Sequence, residues 1–421
     1  MSNVTSVIND CHLNTQSTFG SNDITEELGY PLTPDLNFSS AHAFFSYDDL
    51  ARYHKNKYGN HRYGRDSNEI SSQLEFYFSK MSNDAPSLLF NSGMSALSAA
   101  LAALLPKSKK VVTLGVIYRK TEHLISELCK VSEKTHVKLP PSALAIEKLA
   151  NQEKRENILF VIEAPSNPFL QLVDIALIKK LFPHARILLD FTLAGLLNGS
   201  DYIGYADISV SSCTKYISGH NDLIAGVAVI QSEDLLEELW QIRSAYGTII
   251  HPLASYMLLR SLRTYDLRIA RMLETTKILL PQLIKSELID KVFYPGITDD
   301  PHQNDCFHTY FRHGGSVITF LVDQSVNVKK VCRSFKSIKM APSFGSVDTL
   351  YEIPRYMSRG VHGDDFEGDL SCHESLTLHP NLMRLSVGCE PIEYLLSDLS
   401  ELIAQDEQQR KASDNSRSVG H

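Results

Sequence analysis

The chain has 421 residues, long for a single hydrophobic core, so two or three domains with ample burial are expected. Its make-up, 43% hydrophobic and 21% charged, is that of an ordinary globular protein. A net charge of −8 argues against the basic stripe of a nucleic-acid binder and suits a soluble handler of small molecules.

The first 25 residues or so are polar and rich in Ser, Asn and Thr, and are expected to be loose. SLLF at 87–90 reads as a short strand, and SALSAALAALL after it is helical by propensity. KVVTLGV at 110–116 is β-branched and strand-like. NILFVIEAP at 157–165 is a buried strand stopped by proline, ALIKKLFP at 176–183 has helical spacing, and RILLDF at 186–191 and DISVSS at 207–212 are further strands. Short apolar strands alternating with helices imply a mostly parallel sheet covered on both faces. EDLLEELWQIRSAYG at 233–247 carries an apolar helical stripe, and residues 253–284 read as one long helical stretch. SVITFLV and MRLSVG are strands of a smaller α+β domain, and the polar last 18 residues read as a tail.

Seven scattered cysteines without a C-x-x-C pair read as reduced thiols of a cytoplasmic protein. The chain opens with no charged-then-apolar leader, and its longest apolar runs are too short to span a bilayer. No Walker loop, no G-x-G-x-x-G after a strand, no H-E-x-x-H and no G-x-S-x-G elbow is present, so no metal is expected.

Ligands of open parallel sheets bind at the carboxyl ends of the strands. Three such ends carry Asn167, Asp190 and Lys215. The turn Asn91-Ser92-Gly93-Met94-Ser95 joins a strand to a helix and aims N–H groups at an anion. Taken singly, Lys215 reads as a solvated lysine, Asp190 as a loop-start or cap residue, and Ser92 as a plain N-cap. Taken together they offer a phosphate cradle, a carboxylate for a pyridine nitrogen and an amine for a Schiff base, which are the requirements of pyridoxal phosphate.

SSCTKYISGHNDLIAG at 211–226 resembles the cofactor-lysine motif of the Cys/Met-metabolism family of PLP-dependent enzymes (cystathionine γ-synthase, cystathionine γ-lyase and methionine γ-lyase-like), in which Ser-x-Thr-Lys-Tyr precedes Gly-His-x-Asp. NSGMSAL resembles the family's phosphate turn, and EAPSNPFLQLVDI its Glu-x-Pro-Ser-Asn-Pro segment. HPLASYMLLRSLRTYDLRI resembles its Leu-Leu-Arg-x-Leu-x-Thr-x-x-x-Arg helix. FGSVDTLYEIP resembles Leu-Gly-Gly-Val-Glu-Ser-Leu, and MRLSVGCEPIEYLLSDL the Arg-Leu-Ser-Val-Gly segment with its C-terminal helix. The matches run in order from about residue 31 to 400.

The resemblance implies an α/β fold of the PLP-dependent aspartate aminotransferase-like class (fold type I), with a mostly parallel central sheet and a smaller α+β C-terminal domain. It implies an arm at 1–65 contributing to the neighbouring subunit's site, a PLP-binding large domain at 66–260, a small domain at 261–403 and a disordered tail at 404–421. Lys215 is then the Schiff-base lysine and, with Tyr118 stacked on the ring, the catalytic set. Asp190 pairs with the pyridinium nitrogen, Thr192 lies beside the ring, and Ser92, Gly93, Met94, Ser212 and Thr214 cradle the phosphate. Tyr63 and Arg65, in HRYGRDSN, reach the phosphate of the neighbouring subunit, which makes the active unit at least a dimer and suggests a homotetramer. Asn167, Ser343 and Arg384 hold the substrate carboxylate.

The expected activity is γ-replacement or γ-elimination on an L-amino acid, through external aldimine and vinylglycine-type intermediates. β-Elimination and a non-catalytic PLP-binding homologue are the alternatives. Departures from the family pattern are Arg119-Lys120 for Gly-Gly, Glu69-Ile70 for Pro-Thr, Phe191 for Asn, and Pro342 where several γ-acting members carry glutamate. The stretch YMSRGVHGDD also lacks the family's Met-Thr-His.

Overall fold

Seven short runs form the first sheet: β1 (Ser87–Phe90), β2 (Lys110–Leu114), β3 (Thr135–Leu139), β4 (Ile158–Glu163), β5 (Arg186–Asp190), β6 (Ile208–Ser212) and β7 (Gly226–Ile230). The computed structural model in which they are seen describes residues 32–55, 57, 60–152, 157–195, 198–357 and 379–403. Their order across the sheet is β1-β7-β6-β5-β4-β2-β3. β2 to β6 pair in parallel, and β7 runs antiparallel to both its neighbours, β1 and β6.

β4 is buried at all six positions because both faces of the sheet are covered. Its side chains alternate between two cores. Leu159 and Val161 join Val111, Leu188 and the Gly93–Leu104 helix on one face. Phe160 and Ile162 join Val112, Ile187 and Phe182 on the other. The Gly93–Leu104 helix buries Ala96, Ala99, Ala100 and Ala103 beside three leucines. Small side chains bring its axis close to the sheet and set its N-terminus at the strand ends.

The second sheet contains β8 (Ile289–Phe293), β9 (Val317–Val322), β10 (Lys339–Met340), β11 (Leu350–Glu352) and β12 (Leu382–Ser386), in the order β10-β11-β12-β9-β8. All its pairings are antiparallel except β10 with β11. β12 is buried throughout and carries Arg384 toward the first sheet.

The stretch expected as one helix is two, Pro252–Leu262 and Tyr265–Lys285. The break has a partner: the Arg268 guanidinium donates to the carbonyls of Ser261, Tyr216 and Ile217 at 3.1, 2.9 and 3.0 Å. A motif residue thus ties the helix joint to the backbone that follows Lys215. The expected domain boundary at 260 falls within the first of these helices. Residues 1–31 of the expected arm, the 404–421 tail and most of YMSRGVHGDD lie outside the described residues. β3, β7, β8, β10 and β11 were not anticipated; β3 and β8 are partly exposed and lack a continuous apolar run. Among the described residues no helix is long and apolar enough to cross a membrane.

Arg243, 2% exposed, locks the segment before β1 to the sheet. It donates to the Glu75 carboxylate at 2.5 Å, to the Leu89 carbonyl at 2.9 Å and to the Asp66 carbonyl at 3.1 Å. Removing one partner of a buried ion pair leaves the other charge uncompensated. Arg243→Met is therefore expected to cost about 3 to 5 kcal/mol in chemical denaturation. Lys80→Ala, which breaks a surface pair with Asp84, should cost less than about 1 kcal/mol.

Candidate active site

A cavity of about 560 Å³ opens at the carboxyl ends of β4, β5 and β6. Ser92, Gly93, Met94, Tyr118, Asn167, Asp190, Thr192, Ser212, Thr214, Lys215 and Arg384 all line it. Residues spread over nearly 300 positions of sequence meet there because parallel strands deliver their ends to one rim. Ser343 joins them through a hydrogen bond to Lys215.

One wall is a helix start. Ser92 caps the Gly93–Leu104 helix, its hydroxyl accepting from the Ser95 N–H at 3.0 Å. The N-cap reading of Ser92 is therefore correct as it stands, and it leaves the first-turn N–H groups of Gly93 and Met94 without intrahelical carbonyls. The turn lies so close to β6 and β7 that no larger residue fits. A Cβ on Gly93 would sit 2.8 Å from the Ser212 Cβ, and one on Gly226 2.7 Å from the Gly93 Cα. Thr214 faces the same wall, its hydroxyl accepting from the Ala225 N–H at 3.1 Å.

The floor carries two carboxyl groups. Glu163 ends β4 and Asp190 ends β5, and the two are register partners in adjacent parallel strands. Asp190 accepts from the Thr192 N–H at 3.0 Å and its hydroxyl at 2.6 Å. Glu163 accepts from the backbone N–H of Tyr118 at 2.7 Å and of Asn167 at 2.8 Å. Burial, and then the neighbouring Asp190, push the Glu163 carboxyl well above the usual range, and burial raises Asp190 as well. Two neighbouring carboxyls in a buried site disfavour a second negative charge and invite a cation. Among the described residues no ammonium or guanidinium pairs with Asp190.

Lys215 follows β6 in a turn closed by its own N–H to the Ser212 carbonyl. Its Nζ donates to the Ser343 Oγ at 2.9 Å. Burial, then the nearby Arg384 charge, lower its pKa to about 8, against a smaller upward pull from Glu352.

Arg384 is 3% exposed. It donates to the Asn167 Oδ1 and to the Ser343 carbonyl, each at 2.9 Å, and pairs with Glu352 at 3.1 Å. Among the described residues its buried Nε has no acceptor. A guanidinium held on two sides with one donor spare is ready for a carboxylate.

Tyr63 and Arg65 are not brought to this cavity. Tyr63 is 43% exposed. Arg65 donates to the Ser244 carbonyl at 2.7 Å and lies over the Tyr63 ring. Arg119, Lys120 and Pro342 do line the cavity. Of the other departures, Asn68 forms a capping box with Ser71 ahead of Glu69–Met81, and Phe191 packs against Tyr202 and Phe311. Glu163, Glu352 and Phe344 line the site without having been singled out. Glu163 could have been found, because it stands at a strand end inside the quoted EAPSNP.

The residues fit pyridoxal phosphate: a close anion cradle, a buried carboxylate lacking a cation, and an amine with lowered pKa surround one cavity. A model of the family described as Cys/Met metabolism PLP-dependent enzyme matches residues 30–404. The chloroplastic cystathionine gamma-synthase 1 of Arabidopsis thaliana is 30% identical over 378 residues, covering 88% of this chain and 65% of that one. The chain thus spans about two thirds of the plant protein's length. The cystathionine beta-lyase of Lactococcus lactis is 27% identical, covering 82% and 88%. The apo methionine gamma lyase of Micromonospora echinospora superposes with a TM-score of 0.74 at 25% identity, covering 88% and 93%. The cystathionine gamma synthase of Xanthomonas oryzae, at 21% identity and a TM-score of 0.79 over 95% and 97%, shares the fold.

Two outcomes are expected from this geometry. Gly226→Ala forces the Ser92–Gly93 turn off the strand ends and should weaken pyridoxal phosphate retention at least about tenfold in equilibrium dialysis, since one misplaced charge-assisted contact costs 1.4 kcal/mol or more. In cofactor-free protein, Lys215→Met should raise stability by about 3 kcal/mol at pH 7, the cost of holding the ammonium buried beside Arg384. The lysine's folded pKa lies below its unfolded one. The cost is therefore full below pH about 8, shrinks as pH rises from there, and vanishes above about 10.5, where both states are neutral. Denaturation curves of the two proteins should converge over that window.

Proposed function

The chain belongs to the Cys/Met metabolism PLP-dependent enzyme family, and from that premise we propose that it acts on an L-amino acid with a side-chain leaving group, by replacement or elimination at the γ carbon. The observation that carries this reading is the convergence of Lys215, Asp190 and Arg384, with its spare Nε donor, on one cavity.

Bound there, pyridoxal phosphate supplies a cationic ring that withdraws electrons from the substrate's α carbon. Asp190 would hold the proton on the ring nitrogen, and burial beside it pushes Glu163 toward the neutral form. Ser92, Gly93, Met94, Ser212 and Thr214 hold the phosphate. Tyr118 covers one ring face and Thr192 lies beside the ring. Arg384, oriented by Asn167 and the Ser343 carbonyl, takes the substrate carboxylate on its spare Nε donor and so fixes the α hydrogen toward Lys215. Lys215 would hold the cofactor through its amine and would move protons at the substrate's α carbon, and a pKa near 8 suits that exchange close to neutrality.

Pro342 has no acid or base to offer, so proton removal at the β carbon also falls to Lys215. Tyr118 borders the leaving group. Arg119 and Lys120 begin the Arg119–Val131 helix, an end where aligned dipoles disfavour cations. Both line the cavity, and they favour a substrate whose leaving group bears an anion. Tyr63 and Arg65 serve the phosphate of a neighbouring subunit, so the active form is a dimer at least. Elimination at the β carbon is a second reading, favoured by Pro342 and by the relatives named cystathionine beta-lyase.

Release of ammonia and 2-oxo acid should be followed with homoserine esters, cystathionine and methionine, with and without thiols. Anionic homoserine esters are expected to turn over fastest. Replacing Arg119-Lys120 by Gly-Gly should raise KM for them about tenfold or more while leaving uncharged esters nearly unchanged, the loss of one to two charge-assisted contacts. Lys215→Ala should abolish both turnover and the visible cofactor band. Absence of any visible band in wild-type protein, or full activity in Lys215→Ala, sinks the reading.

A further inference from the structure

We propose that Phe344 is a positioning residue whose ring holds two of the site's cations, the Lys215 ammonium and the Arg384 guanidinium, against their mutual repulsion. The proposal rests on the assignment of Lys215 as the proton-moving amine.

Phe344 lines the cavity and is 9% exposed. Lys215 Nζ lies 5.0 Å from its ring centroid, and Arg384 Cζ 5.2 Å. Both are within the range of about 6 Å over which the electron-rich face of an aromatic ring attracts a cation. The preceding residue grips the same two groups: the Ser343 hydroxyl accepts from Lys215 and its carbonyl from Arg384. Gly345 then turns the chain at φ +75°, where a Cβ would meet the Tyr216 N–H nitrogen at 2.8 Å. Tyr216 also stands against the Phe344 ring, centroids 6.1 Å apart. The ring is fixed by its own turn, not carried on a mobile loop.

Two cations in one dry cavity repel, and Arg384 accordingly lowers the basicity of Lys215. Glu352, paired with Arg384, is the anion acting in the other direction. Asp190, Glu163, Tyr118, Arg119, Lys120 and Glu122 also line the cavity. When Lys215 takes the substrate's α proton, an N–H bond forms at Nζ and the Cα–H bond breaks. The electron pair stays on carbon, and the amine becomes an ammonium. The ring stabilises only that charged product, so it eases the proton transfer itself. The family segment that FGSVDTL resembles opens on leucine, which fills the wall but offers no π face.

The test replaces Phe344 by phenylalanine carrying one, two or three ring fluorines, which keep the shape and drain the face of electrons. Phe344→Leu and Phe344→Tyr accompany the series. In the cofactor-stripped full chain, Lys215 is titrated by acetic anhydride labelling across pH and read by mass spectrometry of its peptide. Its midpoint should fall with each fluorine, by about two- to thirtyfold in the protonation equilibrium over the series. Phe344→Leu should fall as far and Phe344→Tyr should stay near wild type. In the cofactor-loaded enzyme the ascending limb of the kcat–pH profile should move the same way. A midpoint unchanged across the fluorinated series overturns the proposal, and because these variants keep the wild-type volume a folding defect cannot mask it. A midpoint that shifts in a protein without turnover upholds the ring's grip and instead removes the catalytic reading of Lys215.

Discussion

The site depends on charge taken out of water at the rim of a parallel sheet. Asp190 and Glu163 lie side by side at the ends of β5 and β4. Lys215 and Arg384 lie together with Phe344 on another wall of the same cavity. Neither pair is comfortable alone: Asp190 pushes Glu163 toward the neutral state, and Arg384 depresses the basicity of Lys215. A cofactor with a cationic ring and an anionic phosphate, and a substrate with a carboxylate, answer both pairs at once. What is costly in the folded protein is complementary to what it binds.

The scaffold serves that arrangement by close approach. Alanines bring the Gly93–Leu104 helix down onto the sheet, and Gly93 and Gly226 let its first turn touch β6 and β7. Arg268 fastens the turn after Lys215 to a break between two helices, so the lysine sits on backbone held from below. The second sheet sends Arg384 across to Asn167, which ties the two sheets together at the cavity with one hydrogen bond. Such a linkage makes the angle between the sheets a determinant of where the Arg384 guanidinium rests.

Much of this was legible in the chain. The apolar runs of β1, β2, β4, β5 and β6 are buried on both faces, and continuous burial leaves a continuous apolar signature. Lys215, Asp190 and Asn167 stand at the ends of such runs, so their convergence follows from the topology. Edge strands were less visible, because β3 and β8 mix exposed and buried positions. The split near Thr264 was invisible because both helices have good propensity and a side chain from the second one, Arg268, holds the joint. Phe344 and Glu352 escaped notice for another reason: their roles arise from the partners the fold places against them, not from their own segments.

The most direct measurement is borohydride reduction of the purified protein loaded with pyridoxal phosphate, followed by mapping of the labelled peptide. The account predicts a visible absorption band that disappears on reduction and a single pyridoxyl group fixed on Lys215. Label on another lysine, or none, would contradict it.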